Sequence, residues 1–156
     1  MVEAASVDDT LRYLSGFKNL RHALIVFHGG EPLLTPIEEV SAILEYVFSS
    51  FEYQPNVQFQ TNGTLLDRQW LDLFHEYQPG VSLSVSLDPA GQKDFRFGNA
   101  SALHKSVLEN LAKSTEYVQN VGVVSVAHRY NRDAFFPFID ELIACRVQGL
   151  TISKLQ

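Results

Sequence analysis

Phe27-His28-Gly29-Gly30-Glu31-Pro32-Leu33-Leu34 stands at the end of an apolar run that begins at Ala23. Two adjacent glycines after such a run let the backbone approach a ligand with no Cβ in the way. Pro32 stiffens the exit, and Glu31 presents a carboxylate or a backbone carbonyl at the end of the strand. A plain strand-to-helix turn, with Glu31 in solvent, accounts for the same residues. Two further blocks extend the pattern. Gln60-Thr61-Asn62-Gly63-Thr64-Leu65-Leu66 closes the run 57–61, and Ser84-Val85-Ser86-Leu87-Asp88 closes the run 81–87. Asn62-Gly63 is a turn signal in its own right.

Strand-like runs recur at 23–28, 57–61, 81–87, 121–128 and 150–153, with helix-like segments between them. Those segments carry apolar residues near i, i+3, i+4 spacing. Ser6 or Asp8 caps a first helix that Gly16 stops. Thr35-Pro36-Ile37-Glu38 reads as a helix start, with Thr35 as N-cap and Pro36 at the first helical position. Asp67 caps a helix that Pro79-Gly80 ends, and helices also cover 101–117 and 131–145. Pro137 falls inside the last of these, where a kink is expected. The alternation implies an α/β fold of about five parallel strands joined by helical crossovers. The runs 25–27 and 121–124 are apolar on both faces, as a buried parallel sheet requires. An open doubly wound sheet and part of a (β/α) barrel both fit, and both bind ligands at the carboxyl ends of the strands.

The unusual residues fall at those ends. At strand period two, Ser84, Ser86 and Asp88 share one face, and polar groups on a buried strand need partners. Arg96, in the loop 91–98, is placed to clamp a carboxylate or to pair with Asp94. His128 ends the fourth run and Leu155 follows the fifth. The histidines show no metal-binding spacing, and Cys145 reads as a small buried residue. No dinucleotide fingerprint, phosphate-binding loop or nucleophile elbow is present.

With 156 residues, residues 1–156 form one domain by length. A formal charge of −6 disfavours nucleic acid and anionic membranes as partners. No apolar run approaches the roughly 20 residues that span a bilayer. A cytoplasmic location is the default.

Together the three blocks resemble the radical SAM enzymes, in particular the SPASM-type branch that matures sulfatases and modifies peptides. The resemblance runs from about Leu24 to Lys154. It implies a partial (β/α)₆ barrel that binds S-adenosylmethionine on a 4Fe-4S cluster and cleaves it reductively. The resulting radical takes hydrogen from a peptide or protein substrate. By position, Gly29, Gly30, Glu31 and Pro32 look like the segment that receives the methionine amino group. Ser86, with Arg96, looks like the pair that holds the methionine carboxylate, and Ser84 shares its face. Thr61 and Asn62 would line the cofactor and substrate face. The end of the fourth strand near His128, and Leu155, look like the adenine and ribose wall.

The sequence departs from that pattern in three places. Asp88 is followed directly by Pro89, and Asp94 and Arg96 are two residues apart rather than three. The family's first strand and its Cys-x-x-x-Cys-x-x-Cys loop have no counterpart, because Cys145 is the sole cysteine. Without three thiolates this chain builds no cluster site. The sequence therefore supports two readings. One is a core fragment of a radical SAM enzyme, inactive alone and prone to self-association through exposed sheet edges. The other is a cluster-free binding module for a small molecule, peptide or partner subunit.

Overall fold

The five apolar runs fold into five parallel strands that stand side by side in chain order: β1 (Leu24–Phe27), β2 (Asn56–Thr61), β3 (Val81–Ser86), β4 (Asn120–Ala127) and β5 (Gly149–Lys154). The computed structural model describes residues 9, 13, 16, 22–90, 100–129 and 131–154. A doubly wound sheet reverses its strand order at a switch point. This sheet never reverses, so right-handed crossovers carry every helix to the same face. The architecture is a partial (β/α) barrel. The crossovers are α1 (Ile37–Ser50), α2 (Arg68–Glu76), α3 (Ala100–Tyr117) and α4 (Phe135–Ala144).

The register gives the sheet two unlike faces. On the helix side, Ile25 pairs with Val57 and Val57 with Val81, while Leu83 pairs with Val121 and Val123 with Leu150. Val57, Phe59, Val81, Leu83, Val85, Val121 and Val123 are all fully buried there. Leu44 and Val47 of α1, Phe74 of α2, Leu111 of α3 and Phe138 of α4 complete the core. Phe59 is its centre: its ring lies 4.5 Å from Phe27 and 4.6 Å from Phe74, centroid to centroid. The other face carries Gln58, Gln60, Ser82, Ser84 and Ser86, with Gly122, Val124 and Thr151 beyond them.

That division corrects one expectation. Apolar residues on both faces of β1 do not mean burial on both: Leu24 is 62% exposed and Val26 43%. Both lie on the inner face, which no crossover helix covers, and β1 is an edge strand among the described residues. β5 is the other edge.

Local signals hold in part. Asp67 caps α2, accepting from the N–H groups of Gln69 and Trp70. Thr35 does not cap α1. It closes a 3₁₀ turn (Pro32–Leu34), and Pro36 precedes the first helical residue, Ile37, with no side-chain cap. Pro137 causes no break. A 3₁₀ turn at Arg132–Ala134 comes first, so Pro137 lies in the opening turn of α4. N–H groups there have no intrahelical partner to lose. Of the expected first helix only Asp9, Tyr13 and Gly16 are described, the first two helical and Gly16 in a turn. No described helix is long and apolar enough to cross a membrane.

Phe59→Ala removes the ring that both neighbours pack on and is expected to cost about 3–5 kcal/mol in urea unfolding. Phe136→Ala, at a ring 79% exposed on α4, is expected to change stability by less than about 0.5 kcal/mol.

Candidate functional site at the carboxyl ends of the strands

After β1 the chain passes through Gly29 at φ 95° and Gly30 at φ 61°. A Cβ on either would meet nothing within 4 Å. Backbone conformation, not space, is what calls for glycine here. The two left-handed residues turn the chain so that Glu31 swings back over the sheet. Its Oε1 accepts from the Thr61 hydroxyl at 2.6 Å and from the Leu33 N–H at 3.2 Å. Its Oε2 accepts from the Asn62 N–H at 2.8 Å. Glu31 is thus not a solvated turn residue. It fastens the exit of β1 to the exit of β2.

The network continues past Glu31. Thr61, 2% exposed, accepts from the Gly63 N–H through its hydroxyl at 3.1 Å. Asn62 Oδ1 accepts from both the N–H and the hydroxyl of Thr64, at 2.9 and 2.6 Å. Gly63 sits at φ 76°, and a Cβ there would lie 2.9 Å from Val85 Cγ1. Its carbonyl accepts from Asn110 Nδ2 of α3 at 3.0 Å. A carboxylate offers about four acceptor positions. Three on Glu31 are filled, which leaves one for a ligand donor.

Ser84 and Ser86 share the inner face, as their spacing predicts, in rows with Gln60 and Val124. Ser84 is buried and Ser86 half-buried. Asp88 has a different task. Its Oδ1 accepts from the Val126 N–H at 2.7 Å and the Ser125 hydroxyl at 3.1 Å, bracing β3 against β4. At the end of β4, Asn131 accepts from the His128 N–H at 2.9 Å and donates to the Val126 carbonyl at 2.8 Å. The sequence pattern marks Asn131 only as the start of a helix. An asparagine just past a strand, able to bond backbone groups nearby, was the available signal.

Glu31 therefore bonds Thr61 and Asn62 into one unit, with Gly29, Gly30 and Pro32 flanking it in the chain. Ser84 and Ser86 stand on the neighbouring strand and His128 at the same end of β4. Arg96 and Leu155 lie outside the described residues. A groove of about 760 Å³ lies beside this rim, but its walls are the 64–67 loop, α2 and α3, with no strand residue. Cys145 is buried between α3 and α4, its Sγ 3.5 Å from the Leu108 carbonyl. Burial pushes its thiol above the ordinary value, and the nearby Glu141 carboxylate adds to the shift. Glu141 also receives His104 Nε2 at 3.0 Å. This cluster braces two helices on the outer side of the sheet.

No family model matches the sequence, and no curated protein matches it. Solved structures do. The sulfatase maturase anSMEcpe, determined with bound AdoMet and Kp18Cys peptide, superposes with a TM-score of 0.78 over 98% of this chain at 17% identity. This is the fold of the radical SAM peptide-modifying enzymes. SuiB of Streptococcus suis, determined with its precursor peptide SuiA, matches with a TM-score of 0.70 over 96% of the chain at 13% identity. The chain spans 43% of the length of anSMEcpe and 33% of that of SuiB. It thus has the radical SAM fold over less than half the length of these enzymes.

Glu31→Ala strips the Thr61 hydroxyl and the Asn62 N–H of their shared acceptor and is expected to cost about 2–4 kcal/mol in urea unfolding. Glu31→Gln, which keeps one acceptor oxygen, is expected to fall between that variant and the parent. Because its thiol is raised, Cys145 is expected to react with a disulfide reagent at pH 8 at least about tenfold more slowly in the folded than in the unfolded protein, read from the rate of thiolate release.

Proposed function

We propose that this chain is the core of a radical SAM enzyme that binds S-adenosylmethionine at the carboxyl ends of β1 to β4 and acts on a peptide or protein. Residues 1–156 then make up one partial radical SAM domain. The observation that carries the reading is the segment Gly29 to Pro32, whose Glu31 is bonded to Thr61 and Asn62. It holds two left-handed glycines and a carboxylate with spare acceptor capacity at the expected rim. The methionine end of S-adenosylmethionine presents an ammonium and a carboxylate. Glu31 or the peptide carbonyls beside Gly29 and Gly30 would accept from the ammonium. The hydroxyls of Ser84 and Ser86, with Arg96, would donate to the carboxylate. His128 and Leu155 would flank the nucleoside. What S-adenosylmethionine supplies in this class, after reductive cleavage, is abstraction of hydrogen from the substrate. Peptides bound in anSMEcpe and SuiB support a peptide or protein as that substrate.

The chain's residues do not fit a 4Fe-4S cluster. Such a cluster takes thiolates, and Cys145, the sole cysteine, is turned into the contact between α3 and α4, away from the rim. No cleavage step is assigned to this chain alone; its own residues bind and orient. The lone cysteine favours a second reading, a cluster-free binding module on the same rim. It also suits a reducing compartment such as the cytoplasm. Among the described residues β1 and β5 are the edges of the sheet, in keeping with pairing to a further strand or a second copy.

Titration calorimetry with S-adenosylmethionine tests the shared part of both readings. Binding is expected for the parent protein. Gly30→Val, which forces a branched side chain to a left-handed φ, is expected to weaken it at least about tenfold. Ser86→Ala is expected to weaken it about three- to tenfold. No heat of binding at millimolar ligand, or equal affinity in all three proteins, would remove the rim as the site. If the parent binds, adding cluster ligands in trans and assaying cleavage separates the enzyme core from the binding module.

A further inference from the structure

On β2 and β3 the inner face of the sheet is polar, and none of the five strands bears a charged side chain on that face. β2 is paired on both sides, and interior parallel strands ordinarily read as continuous apolar runs. Its inward positions are nevertheless Asn56, Gln58 and Gln60. Two other glutamines, Gln78 and Gln148, have evident work. Gln78 donates to the carbonyls of Phe74 and Val81 and accepts from the Gln119 N–H. Gln148 accepts from the Val121 N–H at the start of β4. Among the described residues, the amides of Gln58 and Gln60 make no hydrogen bond, although both are only partly exposed. A primary amide carries a donor and an acceptor side by side, the complement of a peptide group.

The row that contains Gln60 has a second feature. It runs from Gln60 through Ser84 to Gly122 and Gly149. The three atoms nearest a Cβ on Gly122 would all be Gly149 backbone, from 3.4 Å outward, and one on Gly149 would meet only the Gly122 Cα at 3.9 Å. The floor is therefore bare on β4 and β5, beyond Ser84 in the row of Gln60. A charged group placed on it would find no counter-charge on the strands, and burying an unpaired charge is costly.

We propose that Gln58 and Gln60 are substrate-positioning residues: their amides pair with amide groups of the substrate peptide. The bare stretch at Gly122 and Gly149 receives an uncharged side chain of the residue to be modified. This rests on the functional reading above and names its substrate class, a peptide segment whose target residue is neutral. A face that is merely solvated would carry the same residues with no selectivity.

Three labelled short peptides of one sequence, differing only in a central Ser, Asp or Lys, are titrated with the purified protein and saturating S-adenosylmethionine, and anisotropy is read. The Ser peptide is expected to bind at least about tenfold tighter than the other two. Gln58→Leu and Gln60→Leu are each expected to raise its Kd about three- to tenfold while S-adenosylmethionine affinity stays at the parent value. Gln60→Glu, nearly isosteric, is expected to reverse the preference toward the Lys peptide, which a structural role would not do. Three equal affinities, unchanged binding by the Leu variants, or no peptide binding beside intact S-adenosylmethionine binding would overturn the proposal. Failure of S-adenosylmethionine to bind the parent protein would instead overturn the functional reading beneath it.

Discussion

The register of β2 is the constraint on which the rest depends. Phe59 points into the ring cluster with Phe27 and Phe74, while its neighbours Gln58 and Gln60 point the other way. A slip of one residue against β3 would drive two primary amides into the apolar core and put a phenyl ring on the wet face. Each misplacement costs on the order of a few kcal/mol, so the pairing is strongly specified. The alternation that seats Phe59 also seats Thr61 on the helix side at the strand exit, beside the Glu31 carboxylate. Core packing thus sets where the site's first hydrogen bond forms.

From that starting point the rim is tied strand to strand by single polar side chains. Glu31 joins the exits of β1 and β2, Asp88 joins those of β3 and β4, and Asn131 closes the turn after β4. Two of these are carboxylates accepting from backbone N–H groups at 2.7 and 2.8 Å, the short, charge-assisted kind. Such ties let the chain between them adopt conformations it would otherwise leave. The consecutive left-handed residues Gly29 and Gly30 are the clearest case. They are exposed and uncrowded, yet anchored within two residues by Glu31.

The sequence disclosed the elements whose signals are local. Five apolar runs became five strands, Asp67 capped its helix, and the blocks after β1, β2 and β3 did come to one end. What it hid depends on partners far along the chain. Strand order, which separated a partial barrel from a doubly wound sheet, is a relation among five segments. The apolar pattern of β1 was read as two-sided burial because periodicity cannot say which face lacks a cover. Pro137 was misplaced because the preceding 3₁₀ turn shifted the start of the helix. Asp88 was grouped with Ser84 and Ser86 by spacing alone, but the strand ends at Ser86, and past it the period no longer applies. Of the site residues, the unit around Glu31 was legible as a block, while the bonds that make it a unit were not.

The inner face shows how unevenly that side of the sheet is provided for. Its middle, on β2 and β3, is amide and hydroxyl, suited to water or a hydrogen-bonding ligand. Its β1 end is apolar and open at Leu24 and Val26, where each square ångström left in water forgoes roughly 25 cal/mol. These two needs do not compete for one occupant. A strand paired along the edge that β1 forms among the described residues would not touch Gln58 or Gln60, and a peptide lying over the amides would not occupy that edge. The structures that share this fold extend well beyond the length matched here. The polar middle therefore bears on what the face binds, and the apolar edge on what completes it.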